Sequence, residues 1–184
     1  FSFFKKNQIP TPETSLEKKF PLVKPRFGRG GSGVIINSKE ISSMDGLISQ
    51  ELVVGVEYTV DVFCDFKNRP IYIVPRRRLN VIDGKSTAGI VEKKEKISKL
   101  VKKICSETHF IGPINLQCFE KPDGEVVFIE INPRVGGGMA LGFAASENWV
   151  NLSIKNLIEK QDIHTKPIKY GLKMRRYYSE IFFD

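Results

Sequence analysis

Alternation of apolar and polar residues dominates the chain and predicts a protein rich in β-strands. Two sets of side chains alternate along residues 57–64: Tyr58, Val60, Val62 and Cys64 on one side, and Glu57, Thr59, Asp61 and Phe63 on the other. Successive side chains of a strand point to opposite faces of a sheet, so this stretch is predicted to be a long strand. A second strand is predicted over residues 71–82, and shorter ones over 20–25, 34–37 and 50–54.

One long segment, residues 92–108, shows the periodicity of an amphipathic helix. Its apolar residues recur at intervals of three and four: Ile97, Leu100, Val101, Ile104 and Cys105. This spacing forms one apolar stripe, and the lysines of the segment take the other face. Shorter helices are predicted over 139–146 and about 150–160, a short helix or loop over 38–49, and a strand-like closing segment over 168–183.

Residues 112–134 are predicted to form a β-hairpin, because two alternating runs flank the turn sequence Lys121-Pro-Asp-Gly. Glu130 and Asn132 would share one face of its second strand. The expected core face carries Val127, Ile129 and Ile131. Gln117 joins the face of Glu130 if the loop has two or four residues. A loop of three or five residues would separate them, because a slip of one residue exchanges the faces of a strand.

An acid and two amides on one face, followed by Arg134 and a glycine run, would be costly to bury without a ligand. Carboxylate and carbonyl oxygens suit magnesium, which shares its coordination shell with phosphate oxygens. A half-exposed hairpin whose polar side chains face water explains the same pattern equally well. The hairpin alone therefore leaves both interpretations open.

Residues 28–33 form a candidate phosphate loop between two predicted strands. They include Gly28, Gly30, Gly31 and Gly33, and Lys24 precedes them by four residues. Glycines let backbone amides approach a phosphate closely, and a phosphate needs a counter-charge. The alternative is a mobile hairpin tip.

Three consecutive arginines, residues 76–78, end the apolar part of the strand predicted over 71–82. Because strand side chains alternate, at least one of them must point away from the others. One or more could face an anion, and exposure at the rim of a sheet is the alternative.

Composition and charge narrow the class of protein. The chain has 184 residues, a net charge of +8 and a pI near 9.4, which permits an anionic partner. Much of the excess lies on the predicted helix 92–108, where a solvated face is the simpler explanation. The chain lacks the alternation of aromatic and basic residues that single-strand binders use, so nucleic acid is not expected as a partner. No apolar run approaches the roughly 20 residues of a membrane helix.

Cysteine usage indicates a reducing compartment. Cys64, Cys105 and Cys118 each lie in an apolar run. Their odd number and spacing predict buried free thiols, as in a cytoplasmic protein. The chain does not begin with Met, and residues 1–8 look like the end of a helix, so we expect an upstream part.

Four segments in this order resemble a known family. They are Phe20-Pro-Leu-Val-Lys-Pro with its glycine loop, Gln50-Glu-Leu-Val-Val-Gly-Val-Glu-Tyr, Asn115-Leu-Gln and Glu130-Ile-Asn-Pro-Arg. Together they resemble the ATP-grasp superfamily, in particular the large subunit of carbamoyl-phosphate synthase and related carboxylate–amine ligases. The resemblance covers about residues 20–160. It implies an α+β fold with two lobes, each with an antiparallel sheet flanked by helices, and ATP between them.

The resemblance also implies a division of the chain and a set of nucleotide contacts. Residues 1–19 would be a connector or the end of an upstream segment, 20–53 the small lobe, and 54–184 the large lobe with the metal-binding hairpin. Lys24 would contact the phosphates, and the loop with Gly30, Gly31 and Ser32 would fold over them. The adenine edge would be held by the segment that links the lobes, Glu51, Leu52 and Val53, and the ribose by Glu57.

The metal and catalytic roles are implied in the same way. Gln117, Glu130 and Asn132 would position magnesium, which manganese could replace, and Glu130 would bridge two ions. Arg134 would face the transferring phosphoryl group and act with Lys24 in catalysis. In carbamoyl-phosphate synthases a polar or basic segment usually follows Asn-Pro-Arg. Here Val135-Gly-Gly-Gly-Met stands instead, which favours a more open pocket for an organic carboxylate.

The function implied by the resemblance is an ADP-forming ligase. A substrate carboxylate would attack the γ-phosphate of ATP to give an acyl phosphate, and an amine or ammonia would then displace phosphate. Two alternatives remain: a carbamoyl-phosphate-synthase-type half that uses bicarbonate and ammonia, and a non-catalytic nucleotide-binding module. The sequence does not decide the oligomeric state, and a homodimer remains open.

Overall fold

Two antiparallel sheets form the framework of this computed structural model, which describes residues 1–28, 31–37, 41–82, 85–177, 179 and 181–183. The strands of the first sheet are β1 (Thr14–Ser15), β2 (Leu22–Pro25), β3 (Ile35–Ile36) and β4 (Leu47–Gln50). Those of the second are β5 (Val56–Cys64), β6 (Pro70–Ile82), β7 (Lys85–Val91), β8 (Gly112–Glu120), β9 (Val126–Asn132) and β10 (Lys173–Arg175). Their spatial orders are β1-β4-β2-β3 and β10-β7-β6-β5-β8-β9.

Short helices flank the second sheet, which confirms the predicted α+β class. They are α1 (Ser2–Lys6), α2 (Glu95–Ser106), α3 (Ala140–Ala145) and α4 (Trp149–Leu152), which continues as a π-helical segment, Ser153–Ile158. In the described residues, no helix is of a length and apolarity that would cross a membrane.

The first core lies between α2 and the second sheet. As predicted, the face of β5 that carries Tyr58 and Val60 is buried there, together with the apolar stripe of α2. Ile104 of that stripe is completely buried, whereas Lys102 on the other face is exposed. Burial of one stripe explains why this short helix forms at its predicted place, since packing rather than propensity stabilises most helices of this length.

All three cysteines are buried free thiols, as predicted. The Sγ atoms of Cys64 on β5 and Cys105 on α2 lie 3.8 Å apart within the first core. Placement in a reducing, cytoplasmic compartment stays a prediction.

A second core covers part of the opposite face of the second sheet. Its buried members are Phe63, Tyr72, Val74, Val91, Met139, Leu141, Ala145, Trp149 and Leu152. The Trp149 ring stacks on Tyr72 with their centroids 6.1 Å apart. Because this core involves β5, β6 and β7, it leaves the same face of β8 and β9 to polar side chains.

The hairpin of β8 and β9 forms as predicted, but its loop does not have the two or four residues that would by themselves place Gln117 and Glu130 on one face. Glu120 pairs with Val126, so five residues form the loop. If the pairing continued without interruption from there, Gln117 would lie opposite Ile129. A bulge between Cys118 and Gln117 shifts the register by one residue. Gln117 therefore pairs with Glu130 after all, because a bulge adds one unpaired residue to one strand.

The same bulge corrects the predicted core face of β9. Val126 and Phe128, not Val127, belong to the first core, and Ile131 packs against it on the far side of the bulge. A face assigned by uninterrupted alternation is wrong wherever one residue is inserted.

Three other elements differ from prediction. The strand predicted over 50–54 lies earlier in the chain: β4 ends at Gln50 and takes residues 47–49 from the segment predicted as a short helix or loop. Its Ser49 and Gln50 are buried although polar. β7, rich in small residues, was not predicted. Among its described residues, the closing segment 168–183 forms strand only over Lys173–Arg175. The divisions of the chain at residues 20 and 54 stay predictions.

Replacing Ile104 with Ala should destabilise the protein by about 2–5 kcal/mol, because it removes buried methyl groups from a fully packed site. Lys102→Ala on the exposed face of α2 is the control and should change stability by less than about 0.5 kcal/mol. Urea denaturation of both variants measures the difference. Equal losses would mean that α2 does not pack on the sheet by this stripe.

Candidate functional site

Polar side chains cover one surface of the second sheet, on the side opposite α2. We call this surface the polar face and define it by seven residues: Glu57, Thr59, Asp61, Asn115, Gln117, Glu130 and Asn132. The register places Gln117 between Thr59 and Glu130, and Asn115 between Asp61 and Asn132. Two rows of polar side chains therefore cross three neighbouring strands.

Lys24 of the first sheet reaches towards this polar face. Its Nζ donates a hydrogen bond to Oε1 of Gln50 at 2.8 Å. Burial lowers the pKa of Lys24, and the nearby negative charge of Glu130 partly opposes that shift. The fold thus brings together the lysine and the acid that the sequence proposed for the phosphates and the metal.

The donor set on the hairpin fits a magnesium ion that is shared with phosphate. Gln117 and Glu130 are directly paired across β8 and β9, and Asn132 lies two residues further along the same strand. In the described residues, no group of three His, Cys, Asp or Glu side chains is arranged to hold a metal. One carboxylate and two amide oxygens leave the rest of the coordination shell to water and phosphate, which is how magnesium usually binds in nucleotide sites.

A buried ion pair lies beside this donor set. Arg76 of β6 and Asp61 of β5 are 2% and 0% exposed, and the guanidinium contacts both carboxylate oxygens, with Nη2 to Oδ1 at 2.8 Å. Asn115 Nδ2 donates to the same Oδ1 at 2.8 Å. We call these three residues the buried network. Its hydrogen bonds matter because a buried charge is costly unless it is paired and solvated by neighbouring groups.

The glycine-rich segment after Arg134 packs directly on the buried network. A Cβ added to Gly142 would lie 2.5 Å from Asp61 Oδ2, and one added to Gly138 would lie 2.9 Å from Arg76 Nη1. At Gly136 it would meet Asn115 Nδ2 at 3.0 Å. These glycines therefore allow close packing, which is a different role from the more open pocket expected from the sequence. Only Gly137 of residues 136–138 has open space around it.

The three arginines of β6 alternate as predicted. Arg76 and Arg78 both contact acids of the polar face, Asp61 and Glu57 respectively. Arg77 faces the other side of the sheet, where its Nε lies 2.9 Å from a carboxylate oxygen of Glu92. Rim exposure is therefore wrong for Arg76. Glu57, the predicted ribose ligand, already holds an arginine partner.

The predicted adenine residues lie in the segment between β4 and β5. Glu51 and Leu52 are exposed, and Val53 is half-buried. The backbone N–H of Glu51 donates to the Glu13 carbonyl at 2.9 Å, which ties the segment to β1. Gly55 is pressed against the hairpin, since an added Cβ would lie 2.4 Å from the Glu120 carbonyl oxygen.

A cavity of about 420 Å³ borders this segment and is lined by Lys5, Ile9, Glu13, Glu51, Lys121 and Val127, among others. It does not include Lys24 or the metal-ligand candidates. We therefore place the candidate site on the polar face, where charges of both signs converge. The cavity lies outside this site, beside the segment between β4 and β5.

The remaining predicted residues are exposed wherever the structure describes them. Gly31 and Ser32 lie in the turn between β2 and β3, and Gly30 lies outside the described residues. Arg134 follows β9, and its Nη1 donates to the Val135 carbonyl at 3.2 Å. The structure therefore unites Lys24, Gln117, Glu130 and Asn132 at one place, whereas the roles of all these residues stay predictions.

Sequence reasoning missed two features of the site. It did not pair Asp61 with Arg76, although both lie on the correct faces of their predicted strands, because sequence shows faces and not register. It also missed Arg176, whose Nη2 donates to the Gly137 carbonyl from the end of the chain. No local pattern connects residues so far apart.

A protein-family model matches residues 43–179, and its description is "ATP-grasp in the biosynthetic pathway with Ter operon". The carbamoyl phosphate synthase large chain of Agathobacter rectalis is 31% identical over 133 residues. That match covers 61% of this chain and 12% of the relative, so the chain corresponds to a small part of that protein.

Solved structures show the same fold. N5-carboxyaminoimidazole synthetase from Staphylococcus aureus, complexed with ADP, aligns with a TM-score of 0.75 and 17% identity over 96% of this chain and 54% of that one. Biotin carboxylase from Campylobacter jejuni, in an ATP complex, aligns with a TM-score of 0.74 and 13% identity over 94% of this chain and 48% of that one. These alignments confirm the predicted ATP-grasp fold, and the chain spans about half the length of these proteins.

The buried ion pair should show strong coupling in a double-mutant cycle of Asp61→Leu and Arg76→Met. Each single change leaves an unpaired buried charge and should cost about 3–5 kcal/mol, whereas the double variant should recover much of that loss. Urea denaturation measures all four proteins. The exposed pair of Lys67 and Asp162, 2.9 Å apart, is the control and should couple by less than about 1 kcal/mol. Additive losses at residues 61 and 76 would contradict the buried network.

Glu130→Gln should lower the pKa of Lys24 further, because the variant removes the carboxylate that opposes the effect of burial. A lower pKa means that the Lys24 ammonium loses its proton at a lower pH in the variant than in the wild type. NMR titration of ¹³C-dimethylated lysines measures it, with Lys24→Arg used to assign the resonance. A pKa of Lys24 that stays the same or rises would show that the two side chains do not interact.

Proposed function

We propose that this chain, which belongs to the ATP-grasp family, forms part of an ATP-dependent ligase joining a carboxylate to an amine or ammonia. The single observation that carries the proposal is the convergence of Lys24 with Gln117, Glu130 and Asn132 between the two sheets. Lys24 comes from β2 of the first sheet, whereas Gln117, Glu130 and Asn132 come from the hairpin of β8 and β9 in the second, so two separate sheets meet here. A site for phosphates and a divalent cation explains why they do.

The proposed reaction has two steps. A carboxylate oxygen of the substrate attacks the γ-phosphorus of ATP, the bond from that phosphorus to the β,γ-bridging oxygen breaks, and ADP leaves with the electron pair. The nitrogen of an amine or ammonia then attacks the carbonyl carbon of the acyl phosphate. The carbon–oxygen bond to phosphate breaks, phosphate leaves, and the nitrogen loses a proton to give an amide.

Such chemistry needs no protein nucleophile, because phosphoryl transfer depends mainly on positioning and on neutralising charge. Lys24 would neutralise the phosphates of ATP from the first sheet. Its lowered pKa reflects burial, and a partly dehydrated ammonium interacts more strongly with a phosphate than a solvated one does. Arg134, exposed just beyond β9, would contact the transferring phosphoryl group.

Gln117, Glu130 and Asn132 would hold magnesium or manganese, which would supply charge neutralisation at the phosphates when bound. The side chains are set for this by the bulge in β9, since it returns Glu130 to the face of Gln117. Glu57 would hold the ribose, with its pairing to Arg78 fixing the carboxylate. Glu51 to Val53 would hold the adenine edge from the segment that links the sheets.

The glycine-rich turn between β2 and β3 would act as the lid of the site. Water would hydrolyse an acyl phosphate, so a ligase must exclude it during the reaction. Gly31 and Gly33 both have φ of +74°, a conformation that favours glycine, and residues 31–34 of the turn are exposed. An exposed turn beside Lys24 can close over a bound nucleotide without unpacking a core.

A bicarbonate-using half-site like those of carbamoyl-phosphate synthase is the second candidate. It is favoured by the 31% identity to a large chain of that enzyme. Its nucleotide chemistry would be the same, with bicarbonate in place of an organic carboxylate. ATP cleavage that depends on bicarbonate and occurs without any other acid would select it over the first candidate.

Glu130→Gln should abolish carboxylate-dependent ADP release while the protein still folds, because one metal-ligand charge is lost without a change of shape. ADP release is measured with the full-length protein across carboxylates crossed with amines. Glu125→Gln is the matched control: it alters a partly exposed acid of the same hairpin, paired with Lys121 at 2.7 Å. Unchanged turnover in Glu130→Gln would overturn the metal assignment.

A further inference from the structure

We infer that Arg176, together with Arg134, binds a substrate that carries a second acidic group besides its reacting carboxylate. The inference rests on the proposed function and names the class of acid for the same site. The relevant part of the structure is the turn that follows β9, residues 135–138. Two guanidinium groups from distant parts of the chain both attach to that turn.

The two attachments are hydrogen bonds to backbone carbonyls. Arg134 Nη1 donates to Val135, and Arg176 Nη2 donates to Gly137. Among the described residues, neither arginine has an acidic partner within salt-bridge distance, in contrast to Arg76 and Arg78 on the sheet below. Two positive charges are thus gathered at one turn without a counter-ion from the part of the chain that the structure describes.

The direction of Arg176 follows from strand alternation. β10 pairs with β7, and the Arg176 backbone N–H continues that pairing to the Thr87 carbonyl at 2.8 Å. Leu172 and Met174 pack against the second core, on the side of the sheet that also carries the polar face. Arg176 lies two residues further along and therefore shares that side, whereas Arg175 points to the other.

The surface below this turn does not supply the missing negative charge. Asp61 is already bonded to Arg76 and Asn115, and Gly136, Gly138 and Gly142 pack directly onto these groups. The buried network therefore holds the turn in place while its own charges cancel. An anion at the turn would gain charge-assisted hydrogen bonds, and planar guanidinium groups favour carboxylates in particular.

The spacing of the two arginines suggests a short diacid. The carbonyls that they hold belong to residues two apart, which are separated by at most about 7 Å of chain. In the proposed function Arg134 contacts the phosphoryl group that is transferred to the reacting carboxylate, so Arg176 is left for the other acidic group. A dicarboxylate such as succinate or glutarate carries two carboxylates at a comparable separation, whereas butyrate and pentanoate carry one.

The test compares these four acids in ADP release by the full-length protein, with ammonia and a panel of amines as acceptors. We expect the wild type to prefer each diacid over the monoacid of equal chain length by at least about tenfold in kcat/KM, the difference that one charge-assisted contact supplies. Arg176→Ala should raise KM for the diacids and remove the preference while KM for ATP stays the same. Arg176→Lys should restore part of it.

Arg175→Ala is the matched control, because it removes the same charge from the neighbouring residue on the other side of β10. It should leave the diacid preference unchanged. A wild type that favours monoacids, or an Arg176→Ala variant that retains the preference, would overturn the inference. ADP release that no carboxylate stimulates would instead contradict the proposed function, so the two failures are distinguishable.

Discussion

The buried pairing of Arg76 with Asp61 is the interaction on which the geometry of the candidate site depends. Both groups are almost completely removed from water, so they are stable only while they remain bonded to each other and to Asn115. That requirement fixes the relative positions of β5, β6 and β8. It also fixes the glycine-rich segment packed against the pair, and with it the place where Arg134 and Arg176 meet the same turn.

A second long-range relation joins the two sheets. Lys24 belongs to a short strand of the small first sheet, and its positive charge is stabilised by the negative charge of Glu130 in the large second sheet. This attraction offsets only part of the effect of burial on the pKa of Lys24. A nucleotide with a divalent cation would place negative phosphates next to the lysine and positive metal next to the acid, so binding would strengthen both contacts at once.

Much of the fold was predictable because one-dimensional patterns determine faces. The alternation of residues 57–64 and the helical stripe from Ile97 to Cys105 appear in the structure where they were expected. The position of β4 was not predictable, because its buried Ser49 and Gln50 break the apolar pattern that marks a strand, and the apolar residues that follow them are not in a strand. In the site, the ligands on β8 and β9 could be proposed from sequence. Their actual pairing could not be predicted, because the register depends on a bulge that no residue type in the hairpin indicates.

The hairpin of β8 and β9 contains two irregularities that cancel. Its five-residue loop offsets the facing of the two strands by one residue, and the bulge between Cys118 and Gln117 removes that offset. The alternation of inward and outward side chains along β9 therefore changes at the bulge: one pattern holds next to the loop, and the other holds where Glu130 pairs with Gln117. A change of one residue in the loop or in the bulge alone would therefore exchange the faces of β9, which would turn Glu130 and Asn132 towards the first core and apolar side chains towards the polar face.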